Sequence, residues 1–241
     1  MRLPFLVFLL AGVVRAGTLD DMDLRSNVET SIRGTAQTAN LHLKIDVVDG
    51  LVIPQGVVRD LNQADDVVEL AAKIKGVKGV DRSKLRLEFT GPPDEQIVQM
   101  IDRQVLAIPK FASTGPRVVV RSGIVTLSGK LKNGSWRREL RELCGAIEGV
   151  QDVIDEMETP DTPDDRIQKV LDASFGPRVT PPFPGKVRAT VKEGAVSLEG
   201  RVPRLSDRMS ASRKAWAING VRRVDDHLEL KTGTAIQVVR P

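Results

Sequence analysis

Val118-Val119-Val120-Arg121-Ser122-Gly123-Ile124-Val125-Thr126-Leu127 is a pair of β-rich runs on either side of a Ser-Gly turn signal. Glycine supplies the positive φ that a two-residue hairpin turn needs, so the stretch reads as an antiparallel hairpin. The chain repeats it twice. Asp49-Gly50 stands between Leu43-Lys44-Ile45-Asp46-Val47 and Leu51-Val52-Ile53, and Glu193-Gly194 between Val187-Arg188-Ala189-Thr190-Val191 and Ala195-Val196-Ser197-Leu198. Around each turn the glycines keep one spacing: Gly50, Gly56 and Gly76; Gly123, Gly129 and Gly149; Gly194, Gly200 and Gly220. Equivalent positions lie 73 and then 71 residues apart. That period is longer than a solenoid repeat, so each copy reads as a small domain.

Helical periodicity follows each hairpin. In the second copy Trp136, Leu140, Leu143, Cys144 and Ile147 share one face, matched in the first by Val67, Leu70, Ala71 and Ile74. Cys144 aligns with Ala71 and Ala215, which predicts a small buried core residue; a lone thiol has no internal disulfide partner. Each of these helices stops at Gly76, Gly149 or Gly220, the position where glycine allows a left-handed cap. Short last strands are expected around Leu85–Glu88, Ile154–Met157 and His227–Leu230.

An earlier helix precedes each hairpin, carried by Leu24, Val28 and Ile32, by Ile97, Met100, Ile101 and Val105, and by Ile167, Val170, Leu171 and Phe175. Asp94 and Asp164 are expected N-caps. The fold class is therefore α+β: three tandem αββαβ modules, each a three-stranded sheet with two helices on one face. The modules span residues 22–90, 94–159 and 163–231, joined by proline-bearing linkers expected to act as semi-rigid spacers.

Residues 1–16 combine an early positive charge, an apolar run from Leu3 to Val14 and small residues at Val14 and Ala16, the pattern of a cleaved secretory signal. The run is too short for a membrane span. Loss of Arg2 and Arg15 with it lowers the formal charge from +4 to +2, which argues against a nucleic-acid partner.

Ile124-Val125-Thr126-Leu127-Ser128-Gly129 followed by Gly149-Val150-Gln151-Asp152-Val153 resembles the BON family, and Ala195–Gly200 with Gly220–Val224 resembles it nearly as well. The resemblance implies an exported, non-catalytic bacterial envelope protein that attaches to phospholipid membranes and serves envelope maintenance or stress tolerance, or a module placed beside secretion machinery. Copy one is divergent. Pro54 stands where copies two and three have Leu127 and Leu198, and proline has no N–H, so an edge or a bulge is expected there. Lys214 stands in the apolar place of Leu70 and Leu143.

Chemistry is sparse. His42 and His227 occupy non-equivalent places without metal-ligand spacing, and neither a cofactor nor a small-molecule substrate is expected. The pairs Asp65-Asp66, Asp164-Asp165 and Asp225-Asp226 read as caps or solvated loops. Basic residues cluster: Lys130, Lys132, Arg137, Arg138 and Arg141 in copy two, and Arg204, Arg208 and Arg213 with their neighbours in copy three. Cations on one face attract an anionic bilayer, so these eight are candidate contacts for anionic phospholipid. The alternative is an envelope protein partner, bound at exposed sheet edges. Trp136 and Trp216 read as partly buried packing residues.

Overall fold

In the computed structural model, residues 19–88, 91–113, 115–176 and 180–231 are described. Residues 1–16, with their expected signal, lie outside this set. Module one comprises α1 (Leu19–Arg33), β1 (Lys44–Val48), β2 (Leu51–Val58), α2 (Leu61–Ala72), β3 (Gly79–Val80) and β4 (Leu85–Leu87). Module two comprises α3 (Asp94–Ile101), α4 (Pro109–Ala112), β5 (Arg117–Arg121), β6 (Ile124–Lys130), α5 (Trp136–Gly145) and β7 (Asp152–Glu158). Module three comprises α6 (Asp164–Phe175), β8 (Lys186–Lys192), β9 (Ala195–Val202), α7 (Leu205–Trp216) and β10 (Arg223–Leu230).

The middle strand of each sheet pairs antiparallel with the first and parallel with the last, as in β5-β6-β7 and β8-β9-β10. Alternate residues of the strands turn inward. Val125, Leu127 and Val153 are buried against Ile97, Ile101 and Leu140, while Val119 and Ile154 on the opposite face are exposed. Both main helices of a module therefore cover one sheet face and leave the other open. All nine repeated glycines have positive φ, and the residues before the turn glycines join them, Asp49 at 51°, Ser122 at 50° and Glu193 at 52°. Two successive positive φ values define a type I′ turn, whose twist matches that of the strands it joins.

Four expectations need correction. Asp94 and Asp164 do not cap their own helices, because Pro93 and Pro163 occupy the cap positions. Their carboxylates reach across to the hairpin instead: Asp94 accepts from the Ser122 and Gly123 N–H groups at 2.8 and 2.9 Å, and Asp164 from Glu193 and Gly194 at 2.6 and 3.0 Å. Asp21 does the same for Asp49 and Gly50. A type I′ turn leaves both N–H groups pointing outward, and one carboxylate satisfies the pair.

The last strands of modules two and three are longer than expected, starting at Asp152 and Arg223, and the first is split. Pro54 accounts for the split. Even-numbered residues of β2 face the last strand, as the Asp81 N–H to Val52 O and Gly56 N–H to Lys84 O bonds show. Pro54 has no donor for that side, and opposite it the chain leaves the ladder between β3 and β4. Pro54 is thus in a central strand, beside an interruption. In copy two the first helix also differs, passing after Ile101 into a π-helical turn, Asp102–Leu106, and then α4, whose Phe111 is fully buried.

The linkers do not hold the modules apart as spacers. The second helices meet near their ends: Asn62 of α2 donates to Glu142 O of α5 at 2.8 Å, the Gly134 N–H ahead of α5 donates to Asn219 Oδ1 beyond α7 at 2.7 Å, and Arg213 of α7 pairs with Glu69 of α2. A Cβ at Gly134 would stand 2.6 Å from Ala217 O, which a side chain could not tolerate. Modules one and three share one continuous apolar cluster. The first two contacts set the start of one second helix against the end of the next, the third joins the last turns of α7 and α2, and together the three junctions close the modules into a ring.

Candidate functional site

The eight basic candidates divide between the junctions and the surface. Arg137 projects from the inner face of α5, 11% exposed, with Nη1 bonded to both Asp155 oxygens at 2.8 Å and Nη2 to Met157 O. Its guanidinium lies 5.6 Å from the centroid of the Trp216 ring of module three. One helical turn on, Arg141 joins Arg82, Asp65 and Asp152 in an alternating four-charge network across the first junction, all N–O distances between 3.0 and 3.4 Å. Asp65 is therefore an ion-pair partner and not a cap. Arg208 pairs with Asp226 at 2.9 Å, and Arg213 pairs with Glu69.

The other four point outward. Arg138 is exposed and pairs along its own helix with Glu142. Lys132 is exposed, its ammonium 3.3 Å from Ser113 Oγ. Lys130 at the end of β6 and Arg204 before α7 are exposed and have no carboxylate partner among the described residues. The structure thus does not gather the eight on one surface.

Sequence clustering missed the surface that strand periodicity produces. On the outer face of the β8-β9-β10 sheet stand Lys186, Arg188 and Lys192 of β8, Arg201 of β9 and Arg223 of β10, all exposed. Cross-strand register puts Lys186 beside Arg201 and Glu229, Arg188 beside Glu199 and His227, and Lys192 beside Ala195 and Arg223. Arg201 pairs with Glu229 and Arg223 with Asp225, whereas Lys186, Arg188 and Lys192 have no ion pair among the described residues. The turn end of this face forms a shallow open depression of about 670 Å³ that includes Thr190, Lys192, Ser197, Arg222 and Arg223. The signal was available in the sequence as positive charge at alternate positions, 186, 188 and 192.

Equivalent faces differ. The row Thr190, Ser197 and Asp225 in module three corresponds to Val119, Thr126 and Ile154 in module two. Arg117, Arg121 and Lys130 of module two stand where module three has Arg188, Lys192 and Arg201, but Lys186 and Arg223 have no basic counterpart there, and the middle row of module two is apolar.

Cys144 is fully buried on α5 beside Leu140, and desolvation pushes its thiol up to about 12. Trp136 packs edge-on against Phe111 at 6.2 Å, and Trp216 lies under Arg137. Lys214 is exposed. Among the described residues no group of three or more His, Cys, Asp or Glu side chains is placed to hold a metal ion, and no helix is long and apolar enough to cross a membrane.

Three repeats of one αββαβ unit, each with a carboxylate clamped on its hairpin turn, define a small domain used in tandem. The chain belongs to the BON domain family, whose model matches residues 20–88, 93–161 and 164–232. Among solved structures it is similar to CdsD, a structural protein of the type III secretion system of Chlamydia trachomatis, at 17% identity over 86% of this chain and 92% of that one, with a TM-score of 0.24. The C-terminal domain of CdsD gives 18% identity over 88% and 98%, also at 0.24. The PrgH periplasmic domain gives 10% identity over 86% and 99%, with a TM-score of 0.21. No curated protein matches.

Proposed function

We propose that this chain is a non-catalytic, exported envelope protein that attaches peripherally to anionic phospholipid, and that the outer sheet face of module three makes the contact. The observation that carries the reading is the set Lys186, Arg188 and Lys192, three cations on one edge strand that form no ion pair among the described residues, although Glu199 stands opposite Arg188. They are flanked by Arg201 and Arg223, which pair with Glu229 and Asp225. The signal-like residues 1–16 and the membership in the BON family support an envelope location.

A lysine or arginine near an anionic leaflet contributes about 1 kcal/mol, so the three unpaired cations supply about 3 kcal/mol. That is a partition of about 100-fold, reversible and sensitive to salt. Lys130 on module two and Arg204 ahead of α7 lie outside this face, and Arg137, Arg141, Arg208 and Arg213 hold the fold together and contribute little.

The test is co-sedimentation of residues 17–241 with vesicles of phosphatidylcholine alone or with phosphatidylglycerol, at low and high salt. Pelleting with phosphatidylglycerol vesicles that is lost in salt, and lost in K186E/R188E/K192E, is the expected result. Pelleting unchanged by that triple substitution would overturn the assignment of the face. Absence of pelleting in any condition would overturn the lipid reading in favour of assembly through sheet edges.

A further inference from the structure

The outer face of module two has a charge pattern that the module-three face lacks. Arg117 and Arg121 stand on β5, and Glu156 and Asp152 on β7, with the β6 strand between them. Register sets Arg117 level with Ser128 and Glu156, Val119 with Thr126 and Ile154, and Arg121 with Ile124 and Asp152. Val119, Ile124 and Ile154 are 48%, 39% and 44% exposed, so an apolar strip lies between a basic and an acidic margin. No ion pair joins Arg117 or Glu156 to any described residue.

This pattern is complementary to itself. Consider a two-fold axis running along β6 between two such sheets stacked face to face, about 10 Å apart. The rotation places β5 of one copy over β7 of the other and keeps every row level. Arg117 then faces Glu156 of the second copy, Val119 faces its Ile154, and Arg121 approaches its Asp152, which Arg82 and Arg141 already pair, so the Arg117–Glu156 row carries the charge complementarity. On the axis β6 faces itself, so Lys130 opposes Lys130, each lysine lying between Glu158 of its own copy and Glu158 of the other, which offsets the repulsion. The opposed rows agree in character along the whole length of β5.

We infer that this chain forms a reversible homodimer through the outer faces of its second modules. Three strands about 4.8 Å apart and about 20 Å long cover roughly 300 Å² of each copy, well under the standard size of a stable interface, so the dimer is weak and appears at high concentration. The contact is isologous, and it leaves the cationic face of module three free.

Sedimentation velocity of residues 17–241 without lipid, from about 10 µM to about 1 mM, tests it. The parent chain is expected to shift from monomer to dimer across that range. R117E and E156R, each placing like charges opposite one another, weaken dimerisation by about tenfold, and R117E/E156R restores it. All these positions are exposed, so folding is preserved, which circular dichroism checks. A chain that stays monomeric at 1 mM, a single variant that dimerises like the parent, or a double variant that does not recover would each overturn the inference.

Discussion

Arg137 ties module two to module three, and its removal should be felt as lost stability before it is felt as lost binding. The side chain is almost enclosed, so solvent screens its contacts little. Arg137→Ala removes the charged bonds to Asp155 and Met157 O and leaves the Asp155 carboxylate without them. Hydrogen bonds to charged groups contribute about 1.5–3 kcal/mol each, and the lost Trp216 contact about 0.5–1 kcal/mol more. Against this stands the relief of a desolvated guanidinium whose buried Nε has no hydrogen-bond partner among the described residues, about 1–2 kcal/mol. The three bonds share one guanidinium and are taken at the low end of that range, which leaves a net loss of about 3 kcal/mol. At about 2–4 °C per kcal/mol for a chain of this size, the midpoint of thermal unfolding falls by about 6–12 °C. Arg137→Lys keeps the charge without the planar fork and should recover half or less. Circular dichroism gives the midpoint, and the fluorescence of Trp136 and Trp216 reports the junction itself. A loss under about 0.5 kcal/mol for the alanine variant would mean that Arg137 does not tie the two modules together.

Asp164→Ala strips the acceptor from two outward N–H groups of the third hairpin and should cost about 1–2 kcal/mol, with faster amide exchange at Glu193 and Gly194 than in the parent. Leu127→Pro places a proline in the continuous β6–β7 ladder and should cost about 3 kcal/mol or more, whereas Pro54→Leu, beside an existing break, should change the urea midpoint by the equivalent of under about 1 kcal/mol. Cys144 should resist thiol reagents in the native state and react fully in urea. Because burial raises its folded value to about 12, the stability of the neutral thiol is fully present below about pH 9 and is lost at about 1.4 kcal/mol per pH unit between about 9 and 12, a decline absent from Cys144→Ala.

The modules were legible because their determinants are local. A turn glycine between alternating strands, a helical stripe and a capping glycine act within about 30 residues, and they recur three times. The clamp on the hairpin turn was half legible: Asp21, Asp94 and Asp164 precede their turn glycines by 29, 29 and 30 residues, a spacing as regular as that of the glycines. It was read as capping because a carboxylate at a helix start has a nearer use.

The ring was not legible. Arg141 reaches Asp65 across 76 residues and Arg213 reaches Glu69 across 144, and no periodicity encodes which module faces which. The same limit explains the basic clusters. Arg137, Arg138 and Arg141 are neighbours in sequence, but helical geometry turns the first and last, four residues apart, toward the junctions and only the second toward solvent. On β8 the converse holds. Lys186, Arg188 and Lys192 look dispersed, and the period of two brings them onto one face.

The most direct test of the central claim, that module three meets anionic lipid through its outer sheet face, is environment-sensitive labelling on a Cys144→Ala background. A bimane attached at Arg188→Cys should shift its emission to the blue when phosphatidylglycerol vesicles are added and return when salt is raised, while the same label at Val119→Cys on module two stays unchanged. A shift at position 119 with none at 188 would contradict the account.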